Sequence, residues 1–227
     1  MCDEFQPRLK AAELAKLAQE RAAALAAEGE TLHPVTGQGR ALAKHFWGSA
    51  WMKQLALCEA GGLNLAPGRT LLRHGCVLDI AVVNGEIRAR VSAEELYEVH
   101  LRLRPLEEER REELAAACRG HVGSLVSLLE GKVDEALLSL LCDPERGLLP
   151  EPADWKMSCT CPDWSEPCAH AAAAIYAVGC LIDADPSLLF TLRGVDPAEL
   201  RQVAPTPAPA PDTAALSAMF GIEIDAE

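Results

Sequence analysis

Positive charge is scarce in this chain of 227 residues: 21 Lys and Arg stand against 34 Asp and Glu, a formal net charge of −13. Binding to nucleic acid draws most of its affinity from Lys and Arg that neutralise phosphates, so this balance weighs against a dedicated nucleic-acid binder. Aromatic residues are few as well, with four Trp, four Phe and two Tyr, while Ala and Leu abound. That composition favours helix. Long apolar runs are missing. The stretch 169–182 falls short of the roughly 20 residues that a bilayer requires. The opening Met1-Cys2-Asp3-Glu4 is acidic, where a secretory leader would be basic and then apolar. Nine cysteines make no even framework, which agrees with a reducing compartment. The expectation is a cytoplasmic protein with no membrane partner.

Catalytic signatures are absent too. The sequence has no Gly-x-x-x-x-Gly-Lys phosphate loop, no Gly-x-Ser-x-Gly elbow and no His-Glu-x-x-His. His45, His74, His100 and His121 have no partner by spacing, and the Glu-rich block 107–113 reads as a solvated helix face. A non-enzyme is expected.

One cluster stands out against this background: Cys159-Thr160-Cys161-Pro162-Asp163-Trp164-Ser165-Glu166-Pro167-Cys168-Ala169-His170. It reads C-x-C, six residues, C-x-H. Three thiolates and one imidazole suit tetrahedral zinc (Zn2+), and four protein ligands leave no coordination position for substrate. Such a site is structural. Pro162 and Pro167 keep the intervening segment out of helix. Cys159 and Cys161 share a face if they lie on a strand. Cys168 and His170 are about 200° apart within a helix, so they converge only if Cys168 precedes a helix spanning 169–182. An iron–sulfur cluster on the same ligands, or a chance cluster of reduced thiols, is the alternative.

The expected fold is α+β: a small antiparallel sheet of about four strands with helices, plus the C-x-C…C-x-H module. Helices are expected at 8–28, 40–58, 106–118, 122–130, 133–142, 187–192 and 198–202. The 8–28 helix is either an arm for a partner or a surface helix of the same domain. Strands are expected at 70–73, 77–83, 86–91 and 97–104, with Asn84-Gly85 as a hairpin turn. The division by sequence is an N-terminal arm (1–30), an α+β domain (31–148), the finger with its following helices (149–202) and a Pro-rich linker with a terminal peptide (203–227). In that peptide Leu216, Met219 and Phe220 sit at i, i+3 and i+4, the anchor spacing of a helix laid in a groove, with Ile222 adding apolar surface; a tail that folds back onto its own domain is the alternative. If neighbouring strands align their polar faces, Arg88, Arg90, Arg102 and Arg104 gather as a candidate phosphate surface.

C-x-C-x(n)-C-x-H is the SWIM zinc finger pattern, and the chain resembles the bacterial SWIM zinc finger family. The resemblance includes Phe46-Trp47-Gly48-Ser49-Ala50-Trp51, Pro67-Gly68-Arg69, Gly123-Ser124-Leu125 and the block 189–196, covering roughly residues 36–200. It implies zinc at Cys159, Cys161, Cys168 and His170. It also implies an accessory role beside a SWI/SNF-type helicase-like ATPase, or direct binding to DNA or RNA. A metal-dependent enzyme is a third, weaker implication.

Overall fold

The computed structural model describes residues 9–37, 39, 41–83, 85–118, 135–143 and 146–196. Helix α1 (Ala11–Ala27) begins where the Glu13 carboxylate accepts the Lys10 backbone N–H at 2.7 Å. It lies on the domain itself, burying Leu14 and Ala18. Its Arg21 donates to the Ser92 hydroxyl and to the carbonyls of Ala93 and Glu94. Helix α2 (Phe46–Ala60) starts later than the pattern suggests. The Asp183 carboxylate accepts the N–H groups of Lys44 and His45, each at 2.8 Å, and sets its first turn.

Helix α3 (Ala66–Arg73) corrects the sequence reading, which expected a strand at 70–73. Pro67 lies in its first turn, where its missing N–H and fixed φ suit a helix start. Leu65, Leu71 and Leu72 are buried at helical spacing. Four residues are too few to separate a strand from part of a helix by alternation alone.

The sheet runs in the order β1-β2-β3-β4, antiparallel throughout. Strands β1 (Val77–Val83), β2 (Glu86–Ser92) and β3 (Leu96–Leu103) match the expected hairpin and third strand. Gly85 takes φ +75° in the hairpin turn, a conformation that L side chains rarely adopt. The fourth strand is β4 (Trp155–Cys159), which pairs with β3. The finger's first cysteine is therefore the last residue of the sheet's edge strand. Ile87, Ala89, Val91, Val99, Leu101 and Leu103 form the buried face. Glu86, Arg88, His100, Arg102 and Lys156 alternate onto the other.

Helices α4 (Glu108–Cys118) and α5 (Glu135–Leu141) follow the sheet's first three strands. The helices expected at 122–130 and 198–202 lie outside the described residues. Helix α6 (Ala169–Ala184) is the centre of the fold. Residues 170–179 are buried on every side, as their almost wholly apolar sequence requires, and the last turn reaches the surface at Asp183 and Ala184. The sheet covers one side of it, and α2 and α3 cover another. Gly68 lies so close that an added Cβ would stand 2.3 Å from the α6 backbone at Ala172 and Ala173. The Trp51 indole N–H donates to the Ile175 carbonyl at 3.2 Å, and its ring meets Trp155 of β4 edge-on. Helix α7 (Leu188–Arg193) returns to the sheet. There the buried Arg193 guanidinium donates to the Asp154 carboxylate at 2.9 Å and to the Arg104 carbonyl at 3.0 Å. Among the described residues one hydrophobic cluster extends from Leu14 to Val195.

Candidate metal centre

Two elements deliver the four candidate ligands. The β3–β4 ladder fixes the first pair: Cys159 lies opposite Val99, on the face of the sheet that meets α6. One residue on, the Thr160 N–H donates to the Glu98 carbonyl at 3.1 Å and its hydroxyl accepts the Glu98 N–H at 3.0 Å. These bonds carry the chain past the strand's end to Cys161, so of the two cysteines only Cys159 lies on a strand. Helix α6 supplies the second pair. Cys168 is its N-cap, with its sulfur accepting the Ala171 N–H at 3.5 Å. His170 falls in the first turn. This is the placement that the two-residue spacing demands.

The donor atoms of Cys159, Cys161, Cys168 and His170 all lie within 4.8 Å of one another. The His170 Nδ1 is 3.9 Å from the sulfurs of both Cys159 and Cys168. A tetrahedron with metal–sulfur bonds of about 2.3 Å has edges of about 3.8 Å. The donor set and its spacing fit zinc. The His170 ring packs on Tyr97 of β3, with centroids 4.3 Å apart, so the imidazole is held between strand and helix.

The thiols are already polarised against one another. The Cys168 thiol is pulled down to about 3, chiefly by its hydrogen bond with Cys159, with His170 and the Ala171 N–H adding to the effect against burial. Cys159 is driven far up by that same hydrogen bond and by burial. Burial raises Cys161. Cys168 stands at the helix N-terminus, where N–H groups and the helix dipole favour negative charge. Zinc uptake requires all three thiolates, so it releases protons and weakens as pH falls. The scattered cysteines behave otherwise. Burial pushes Cys142 up to about 12 and Cys76 and Cys180 to about 11, and raises Cys58. These are neutral thiols, three of them buried and Cys180 half-buried, far from the metal cluster in chemistry.

The four arginines singled out by alternation are less united. Arg88 and Arg102 share the exposed sheet face, both paired with Glu86 at 3.4 and 2.9 Å. Arg90 is engaged by Glu30 and Asp79. Arg104 is held by the Ala153 carbonyl and Asp154. Lys156, which β4 places beside Arg102, joins Arg88, His100 and Arg102 around a cleft of about 220 Å³. The sequence reading missed it because it missed the strand. It also passed over Trp164, which stands almost wholly in water (98% exposed) in the loop between Cys161 and Cys168. Leu216, Met219, Phe220 and Ile222 lie outside the described residues. Among the described residues no helix is long and apolar enough to cross a membrane.

The SWIM zinc finger family model matches residues 156–179, which span β4, the ligand loop and most of α6. The chain is also similar to an uncharacterized protein of Mycobacterium tuberculosis, Rv2102, at 26% identity over 159 residues. That match covers 68% of this chain and 56% of the relative, so the chain spans just over half the relative's length. No solved structure matches the chain. The chain carries a SWIM zinc finger, and its Cys3His cluster is able to hold a zinc ion.

Proposed function

We propose that this chain is a cytoplasmic, zinc-stabilised adaptor with no catalytic activity of its own. Its partner is a SWI/SNF-type helicase-like ATPase acting in DNA processing, the association suggested by the SWIM resemblance. The observation that carries the reading is the completeness of the ligand set. Three sulfurs and a nitrogen fill a tetrahedron, and the cluster is built into the core between β4 and α6. A four-coordinate zinc with protein ligands alone stabilises a fold and leaves no position for a reacting water. The terminal peptide with Leu216, Met219, Phe220 and Ile222 is part of the proposal as a contact for the partner.

The test is a binding titration between the zinc-loaded full chain and a purified SWI/SNF-type ATPase of the same organism. Saturable binding that weakens on deletion of residues 205–227, with an unchanged melting temperature, supports the reading. No binding at micromolar concentrations overturns it.

Direct DNA or RNA binding is the second reading, favoured by the cluster of Arg88, His100, Arg102 and Lys156 on the open sheet face. It requires affinity that falls steeply with salt and drops when Arg88, Arg102 and Lys156 are changed together to Ala. The net charge of −13 opposes it.

A further inference from the structure

We propose that the finger loop, residues 161–168, is a docking site for a basic segment of a protein partner, with Trp164 as the platform for an Arg or Lys side chain. The proposal rests on the adaptor reading and names the chemistry of the partner at the finger.

The first argument is the contrast among the tryptophans. Trp47, Trp51 and Trp155 are buried at 2, 0 and 8% exposure, whereas Trp164 is 98% exposed. Indole is the side chain most often found at the energetic centre of protein interfaces. The second argument is how the indole is presented. The loop is short, both of its ends are candidate metal ligands, and Pro162 and Pro167 restrict its backbone. A platform held in this way loses little conformational freedom on binding.

The third argument is charge. Asp163 and Glu166 lie one and two residues from Trp164 in sequence and both are exposed, the Asp163 carboxylate accepting the Ser165 N–H at 3.0 Å, and residues 159–168 contain no Lys or Arg. The cleft of about 440 Å³ along the loop is lined by the candidate metal ligands Cys159, Cys161 and Cys168, so it belongs to the metal centre, and the surface left for a partner is the loop's outer side. Cations bind the face of Trp better than that of any other side chain, and two carboxylates in the same short loop favour a cation there. An Arg or Lys matches the ring and the carboxylates of the loop at once. A nucleic-acid strand would find a ring to stack on, but its phosphates would meet two carboxylates and no cation.

The experiment titrates the zinc-loaded full chain with three synthetic 12-residue peptides of repeating Gly-Arg-Leu, Gly-Gln-Leu and Gly-Glu-Leu. Calorimetry gives affinity, and acrylamide quenching of fluorescence reports on the exposed indole. The Arg peptide is expected to bind and to shield the fluorescence, the Gln peptide to bind at least tenfold more weakly, and the Glu peptide not at all. Trp164→Ala weakens Arg-peptide binding tenfold or more with an unchanged melting temperature, and Trp164→Phe restores part of it. Asp163→Asn with Glu166→Gln lowers the affinity and flattens its salt dependence. Wild-type chain that fails to bind the Arg peptide at millimolar concentration overturns the proposal. So does a Trp164→Ala variant within twofold of wild type, or an oligo-dT strand that binds through Trp164 more tightly than the peptide. If the ATPase binds wild type and Trp164→Ala equally, the loop proposal falls and the adaptor reading stands. If the Arg peptide binds through Trp164 but the ATPase does not bind, the pairing falls and the loop site stands.

Discussion

The two halves of the finger face opposite environments. Over residues 170–179 the chain is a buried helix, and the helix it belongs to touches all four strands as well as α2 and α3. Between Pro162 and Glu166 it is exposed loop, with an indole in water. The four candidate ligands stand at the border between them. A metal held there ties the edge strand to the N-cap of the central helix, so its binding energy acts on the whole core. The loop is left as a surface presented to solvent. The contrast implies that substitutions on the helix side are ruinous and those in the loop nearly silent for stability.

The strongest way to break this comparison is to remove a ligand. Apparent zinc-binding energies in finger peptides are about 10–16 kcal/mol, as large as the roughly 5–15 kcal/mol that stabilises a whole domain. Cys168→Ser also weakens the cap of α6. It is expected to abolish both stoichiometric zinc, measured by elemental analysis, and cooperative melting, measured by circular dichroism.

Gly68→Val tests the buried side without touching the metal. Its Cβ would stand 2.3 Å from α6 backbone, which cannot yield as a side-chain end can. The expected loss exceeds about 4 kcal/mol, seen as a falling midpoint in denaturant.

Arg193→Met probes the buried ion pair that fastens α7 to the start of β4. It leaves the Asp154 carboxylate, 11% exposed, without its closest cation. The expected loss is about 3–5 kcal/mol. Adding Asp154→Leu should recover much of it, since an apolar pair can replace a buried ionic one.

Trp164→Ala marks the other end of the scale. A side chain that is 98% exposed contributes no core packing, and the expected change is within about 0.5 kcal/mol. A drop of several kcal/mol would erase the distinction between the two halves.

Much of the molecule was legible in the sequence because local rules and global fold agree there. The hairpin of β1 and β2 follows from alternation around Asn84-Gly85, and β3 from the strict alternation of Tyr97, Val99, Leu101 and Leu103. The ligand set followed from spacing, and the place of Cys168 before its helix followed from helical geometry. What escaped notice is non-local. Strand β4 is only five residues long and is defined by pairing with β3; its neighbours Pro150 and Pro152 disguise it. Residues 70–73 carry too few side chains to show their period, and the contact of Gly68 with α6 is what reveals α3. The Arg quartet was read from alternation, which gives the face but not the partners. Glu30 and Asp79 come from other segments to engage Arg90, and Asp154 to engage Arg104.

The central claim is that the finger and the sheet are one cooperative unit joined through the metal cluster. Native-state hydrogen exchange on the zinc-loaded chain, before and after chelation, tests it most directly. The account predicts that amides of β2, β3 and α6 lose protection together when the metal is withdrawn. If only residues 159–168 exchange faster while β2, β3 and α6 keep their protection, the cluster serves the loop alone and the claim is wrong.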